Sequence, residues 1–293
     1  MTVTESGYTF NVTAGATPAI TANSVNFGNA ALNITGYTPD ESSPHNASKN
    51  VQTVITSSNL NDFNPVVTVV GQASADFLSA SAFQDNNDVK VETRLTWNSI
   101  DPNREAHGDF TVAAGQTFTL GASLANNTGS NKAITWRGDT LTKLGDGTLV
   151  LTANNTYSGL TLIEAGTLHL DNAGLNSDVI VQDTTTLSGS GTLNKNVVFE
   201  SGSTYLYSID DNALLTVMGD ITIETGANLD ITYSGSGGSF QVIAANESQF
   251  NGVLFDLTNT WVTKFDQEIR SDGYWINWIA TSADFANNVA PCT

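Results

Sequence analysis

Few side chains in this sequence could do chemistry. Three histidines, His45, His107 and His169, and a single cysteine, Cys292, are its whole supply of imidazole and thiol. A hydrolytic serine would need imidazole and carboxylate partners, and the Gly-Asp-Ser-Gly setting in which such a nucleophile is recognised does not occur. His45 and His107 fall in polar, loop-like stretches. His169 stands between Leu168 and Leu170, so strand alternation sends it to the face opposite those two leucines, outward from a core. The compact acidic groups are Asp85-Asn-Asn-Asp88 and Asp210-Asp211; neither has the spacing of a calcium loop, and the pair at 210–211 reads as a solvated turn. There is no Gly-Gly-x-Gly-x-Asp run of the calcium-binding solenoids. Gly235-Ser-Gly-Gly-Ser239 lacks the Lys-Ser/Thr and the helix of a phosphate loop and reads as a flexible turn. Asn11-Val-Thr13 and Asn154-Asn-Thr156 fit a glycan-acceptor pattern, a consequence of Asn and Thr richness. The expectation is no catalytic, cofactor or metal site legible in the sequence. Carboxylates that converge from separate segments are left open.

Charge narrows the partners. Ten Lys and Arg face 29 Asp and Glu, a net charge of -19, which opposes phosphate backbones and anionic membrane surfaces and makes nucleic acid an unsuitable partner. Only 13% of residues are charged, and the remaining polarity comes from Thr, Asn and Ser. Thr suits strands, while Asn, Ser and Gly suit the turns between them, so the chain reads as all-β with many short strands. One cysteine allows no internal disulfide. No apolar window reaches the roughly 20 residues of a membrane-spanning helix. Residues 1–7 lack the basic start and apolar run of a signal peptide, which for a secreted protein implies a piece of a longer chain.

The elements that must position these residues carry a period of two, as in Thr148-Leu-Val-Leu151 and Thr167-Leu-His-Leu170. Each such run follows a glycine: Gly28, Gly115, Gly147, Gly166, Gly191, Gly202 and Gly226. The intervals 147 to 166, 166 to 191 and 202 to 226 are 19, 25 and 24 residues, the range of solenoid repeats. Such a coil holds two or three short strands with sharp corners, where glycine supplies backbone freedom. The alternative is a β-sandwich, whose strands recur at shorter spacing. A longer repeat is also present. Residues 30–35 resemble 227–232, Val51-Gln-Thr-Val-Ile55 resembles Ser239-Phe-Gln-Val-Ile243, and the run from Asp88 to Trp97 resembles that from Asp272 to Trp278. The chain thus divides into residues 1–100, the end of a first solenoid module, and 101–283, a second, with a polar junction around Pro102 and a frayed tail at 284–293. An aromatic-rich unit at 236–283, with Trp261, Phe265, Tyr274, Trp275 and Trp278, is the candidate cap for the final edge.

Leu141-Thr-Lys-Leu-Gly-Asp-Gly-Thr-Leu-Val-Leu-Thr-Ala-Asn-Asn-Thr-Tyr157-Ser-Gly159, followed by Ala165-Gly-Thr-Leu168, resembles the passenger-associated transport repeat of autotransporters, the type V secreted proteins of Gram-negative bacteria. Residues 187–231 extend the likeness towards the C-terminal part of such passengers. The resemblance implies a right-handed parallel β-helix displayed outside the cell and delivered by a C-terminal outer-membrane barrel. It implies a non-enzymatic scaffold or adhesin stalk that meets a host or bacterial surface protein or glycan. The alternatives carried with it are a carbohydrate-active β-helix enzyme and a toxin-like passenger that binds host receptors.

Overall fold

The computed structural model describes residues 9–14, 17–27, 30–35, 50–61, 66–69, 76–98, 105–130, 132–211, 213–232, 238–258 and 265–278. His45, Trp261, Cys292, residues 235–237 and the tail at 284–293 lie outside these. Among the described residues, two short 3-10 turns, Thr96–Asn98 and Glu247–Gln249, are the helical elements; the rest of the regular structure is β. The chain falls into two compact units, Met1–Asp109 with Asn127–Gly138, and Phe110–Asn126 with Asp139–Thr293.

In the second unit the strands stack in parallel, one coil on the next, which decides between solenoid and sandwich. One sheet runs Leu141–Leu144, Thr161–Ile163, Val179–Val181, Val197–Phe199 and Ile221–Ile223. A second contains Thr117–Leu120, Thr148–Leu151, Thr167–Leu175, Thr186–Leu193, Thr204–Ser208 and Asn228–Thr232. Register is strict: Phe118, Leu149, Leu168, Leu187, Tyr205 and Leu229 lie directly above one another. All six are buried. Each such side chain contributes about 1.5–3 kcal/mol by leaving water, and a one-residue slip would turn the whole ladder outward. The step between rungs is 19 residues from 149 to 168 and again from 168 to 187, then lengthens to 24 from 205 to 229.

The glycines serve two different purposes. Gly166, Gly202 and Gly226 have φ of 65°, 80° and 94°, the left-handed corners expected of them. Gly147 and Gly191 do not; there a Cβ would lie 2.2 Å from the carbonyl oxygens of Ala113 and Ala173, so absence of a side chain permits coil-to-coil approach.

Lys143 is the exception within the ladders. Its strand alternates buried and half-buried, and Lys143 takes an inward slot in line with Ile163, Val181, Phe199 and Ile223. Its ammonium is sealed by three carbonyls, donating to Leu144 O (2.9 Å), Gly145 O (2.6 Å) and Ala165 O (3.0 Å). Burial draws its pKa from 10.5 down to about 8, with Asp146 acting in the other direction, so the group is still an ammonium at pH 7. Three donors meet three acceptors across two coils.

The closing unit is an antiparallel hairpin, Phe265–Arg270 and Gly273–Trp278, paired to Gly238–Ala244, which itself stacks in parallel on Leu215–Val217. Tyr274 is buried beneath it against Phe255, ring centres 5.5 Å apart, and Phe255 meets Phe199 at 5.0 Å. The cap is therefore continuous with the coil core through Phe199 and Phe255, two aromatics that the sequence pattern did not single out. Trp275 lies on the outer face, 4.5 Å beneath the Arg270 guanidinium. Asp266, Glu268 and Arg270 place charge along the outermost strand, which discourages further strand addition.

The first unit ends in the same way. Ile20–Ala22 pairs in parallel with Asn50–Ser57, which then takes the antiparallel hairpin Leu78–Asp85 and Asp88–Leu95. Its register breaks between Thr53 and Ile55, and the corresponding break in the second unit lies between Gln241 and Ile243. The extra residues, Val54 and Val242, are both fully buried. The sequence repeat thus marks the same closing topology, bulge included. The turn between the hairpin strands holds Asp85-Asn-Asn-Asp88, with Asn86 at φ 54° and Asp85 paired to Lys90 at 2.5 Å, so these acids serve the turn.

Replacing Lys143 with Met keeps the volume and removes the donor from three enclosed carbonyls. Chemical unfolding is expected to show a loss of about 1–3 kcal/mol. A variant as stable as the parent would mean that the three contacts contribute nothing.

Candidate functional site

Two features of the second unit carry recognisable chemistry: the polar corner of residues 141–170 and a cleft on the flank.

In the corner, Asn155 is buried and acts as a bracket. Its Oδ1 accepts from Leu124 N (3.0 Å) and its Nδ2 donates to Ala153 O (2.8 Å) and Gly174 O (3.3 Å), tying three levels of the stack. Tyr157 is fully buried, with its hydroxyl 2.6 Å from Thr161 Oγ1, which is itself 2.6 Å from Ser177 Oγ. Burial pushes the Tyr157 phenol up to about 12, the neighbouring hydroxyls pulling the other way, so it stays protonated and neutral. At Gly159 a Cβ would meet Asp139 O at 2.4 Å. Each element of the Asn-x-Tyr-x-Gly pattern therefore has a packing reason. Asn154, of the acceptor-like triplet, is exposed and pairs its strand to Gly174, while Asn11 of the other triplet takes a hydrogen bond from Asn33 at 3.1 Å.

The cleft, of about 420 Å³, is lined by residues of four successive rungs, among them His169, Asp171, Asn172, Ser190, Leu206 and Asp211. Its origin is a split in the ladder. Strand Thr186–Leu193 pairs with Thr204–Leu206 as far as Ser188, and with Leu215–Val217 from Gly191 onward. Gly189 and Ser190 fall in the gap, where the chain detours through Ser208 and Asp211. On the other wall Asn172 is the extra residue of a bulge, at φ 52°, donating to Asp171 Oδ1 (3.1 Å) and accepting from Ser190 Oγ (3.4 Å). Gly189, at φ 88°, sits so close to Leu170 O that a Cβ would be 2.0 Å away.

His169 faces outward between the buried Leu168 and Leu170, as alternation requires, but it is half-buried in the cleft wall with Nδ1 2.9 Å from Ser188 Oγ. Burial lowers its pKa from 6.5, opposed by Asp171 and Asp211, so the ring is neutral at pH 7. The pair does not form a hydrolytic triad. Neither carboxylate hydrogen-bonds the ring, and Ser188 is a 4% exposed mid-strand residue whose Oγ is already paired with His169 Nδ1. Asp211 is exposed and accepts from Ser208 Oγ at 2.6 Å. Asp210 is exposed in the same turn. The sequence pattern placed this pair in a solvated turn but held no signal that the turn borders a cleft with residues from some forty positions upstream, because that proximity exists only once the coils stack. His107, in the first unit, is half-buried and accepts from Asp109 N at 3.2 Å. Among the described residues no group of three or more His, Cys, Asp and Glu could hold a metal ion, and no helix is long and apolar enough to cross a membrane.

The capped stack of parallel coils with its Asn-x-Tyr-x-Gly corner is similar to autotransporter passenger sequence. Residues 141–170 match the family model of the passenger-associated-transport-repeat. Relatives of the chain include an extracellular serine protease of Serratia marcescens, 35% identical over 112 residues, covering 38% of this chain and 10% of that protein. They also include the probable autotransporter YfaL of Escherichia coli strain K12, 31% identical over 173 residues, covering 59% of this chain and 12% of that protein. The matches thus span about a tenth of each relative's length.

Because folding lowers the His169 pKa, the unfolded chain binds the extra proton first. Stability should therefore fall as pH drops below 6.5 through the lower folded value, and a His169→Gln variant should lose that part of the slope. Melting curves of both proteins from pH 8 to pH 5 check this; parallel curves would show that the ring titrates alike in both states.

Proposed function

We propose that this chain is a non-enzymatic passenger segment of a Gram-negative autotransporter, a surface-displayed scaffold or adhesin stalk that supports its own secretion and folding. The supporting observation is the transport-repeat corner built into a stack whose final edge is closed by its own hairpin. Each rung is stabilised by its neighbours, so a chain leaving a pore can add rungs one at a time and needs a terminal cap. In this reading a C-terminal outer-membrane barrel of the same polypeptide carries the segment to the cell surface. Its partner there is a host or bacterial surface protein or glycan.

The serine-protease name belongs to one relative, of which the match covers 10%, and the mid-strand burial of Ser188, the serine hydrogen-bonded to His169, supports the non-catalytic reading. On cells that express the parent protein, antibody to this segment should label intact bacteria. The purified segment should take up no fluorophosphonate probe and release no product from casein. Staining that required permeabilised cells would remove the surface assignment, and covalent labelling at a serine would restore the enzyme alternative.

A further inference from the structure

We infer that the flank cleft between His169–Asn172, Ser188–Ser190 and the Ser208–Asp211 detour is a binding site for a neutral oligosaccharide. The inference rests on the reading of the segment as a non-catalytic surface element, and supplies the ligand class that reading lacks.

The cleft is not a by-product of ordinary stacking. Rungs 149, 168 and 187 repeat at an even 19 residues, and the split that separates Ser188 from Gly191 comes with the lengthened rung that begins at 205. It is paired with one departure from easy backbone geometry, Asn172 at φ 52°, next to a strand in which Gly189 takes φ 88°. Left-handed backbone at a non-glycine residue costs on the order of 1 kcal/mol, and such outliers concentrate where ligands are held.

The lining selects the ligand. Among the described residues no Lys or Arg borders the cleft, which removes phosphate, sulfate and uronate ligands. The Asp171 and Asp211 carboxylates each already take a hydrogen bond from their own chain, from Asn172 Nδ2 and Ser208 Oγ, and are thereby held in place with acceptor capacity left over. Around them stand the hydroxyls of Ser190, Ser208 and Thr232, and the neutral His169 ring. Leu206 turns outward at a half-exposed position in the register column of His169 and Ser188, giving one apolar wall. Fixed carboxylate acceptors, hydroxyl oxygens with lone pairs left over and the apolar side of Leu206 match a sugar ring, which presents hydroxyls at its edge and C–H groups on its face. A cationic ligand would match the two acids but would leave the hydroxyl groups and Leu206 without a counterpart. The volume lies in the range of small-molecule sites, and the open side lets a longer chain continue outward.

The test uses the purified protein on an array of neutral gluco-, manno-, galacto- and N-acetylglucosamine oligomers, with heparin and oligolysine on the same surface. Saturation-transfer NMR and chromatography of the hits follow. Two variants are compared: Asp211→Asn, an isosteric change at an exposed residue, and Thr232→Trp, which fills the cleft from its rim. The expected result is binding to a set of neutral oligomers, about tenfold or more weaker in D211N and abolished in T232W, with unchanged melting temperatures. Failure to bind any neutral oligomer, preference for heparin or oligolysine, or binding indifferent to both variants would overturn the proposal. Shortened oligomers in the chromatogram would overturn instead the non-catalytic reading, so the two failures are separable.

Discussion

Everything in the second unit depends on in-register parallel stacking. A single coil has no core of its own: Leu168 is dry only because Leu149 lies on one side of it and Leu187 on the other. The same dependence explains the glycines. Where two coils approach as at Gly147 and Gly191, a methyl group would occupy the position of a backbone carbonyl, and the hydrogen-bonded spacing of the strands would be lost. It also explains the cap, because the last rung would otherwise present a complete row of unpaired backbone groups. The antiparallel hairpin ends the propagation by reversing strand direction and by placing charged residues on its outer edge.

Within that constraint polar groups enter the interior only where the stack itself supplies partners. Lys143 occupies a slot that apolar side chains hold on the next four rungs, and it does so because three carbonyls of two coils converge on its ammonium. Asn155 satisfies backbone groups on three levels, and Tyr157, Thr161 and Ser177 form a closed hydroxyl chain. These residues belong to the corner of the transport repeat or pack on it, so the motif is a device for turning a corner without leaving buried groups unpaired. A chain that folds rung by rung gains from such corners, since each fixes the register of the next.

Lengthening a rung reshapes the outer face. An insertion within a coil lets the ladder split into two branches, so the core row continues from Leu187 to Tyr205 while the outer face opens into a cleft. The scaffold and the cleft are thus separable: inward positions answer to stacking, while outward positions and detours are released from it.

The sequence alone determined the all-β class, the solenoid spacing, the transport-repeat corner and the duplicated closing unit. Those features are local: a period of two, a glycine at each corner, a motif of contiguous residues. It also contained, unread, the signal for Lys143, which stands two residues from Leu141 and therefore in phase with the core. What only the tertiary structure decided was which distant residues meet. His169 and Asp211 share a cleft, and Phe199, Phe255 and Tyr274 share the cap's core, because register sets one coil against another. Register is a cooperative property of the whole stack, and no window of sequence shorter than two coils carries it.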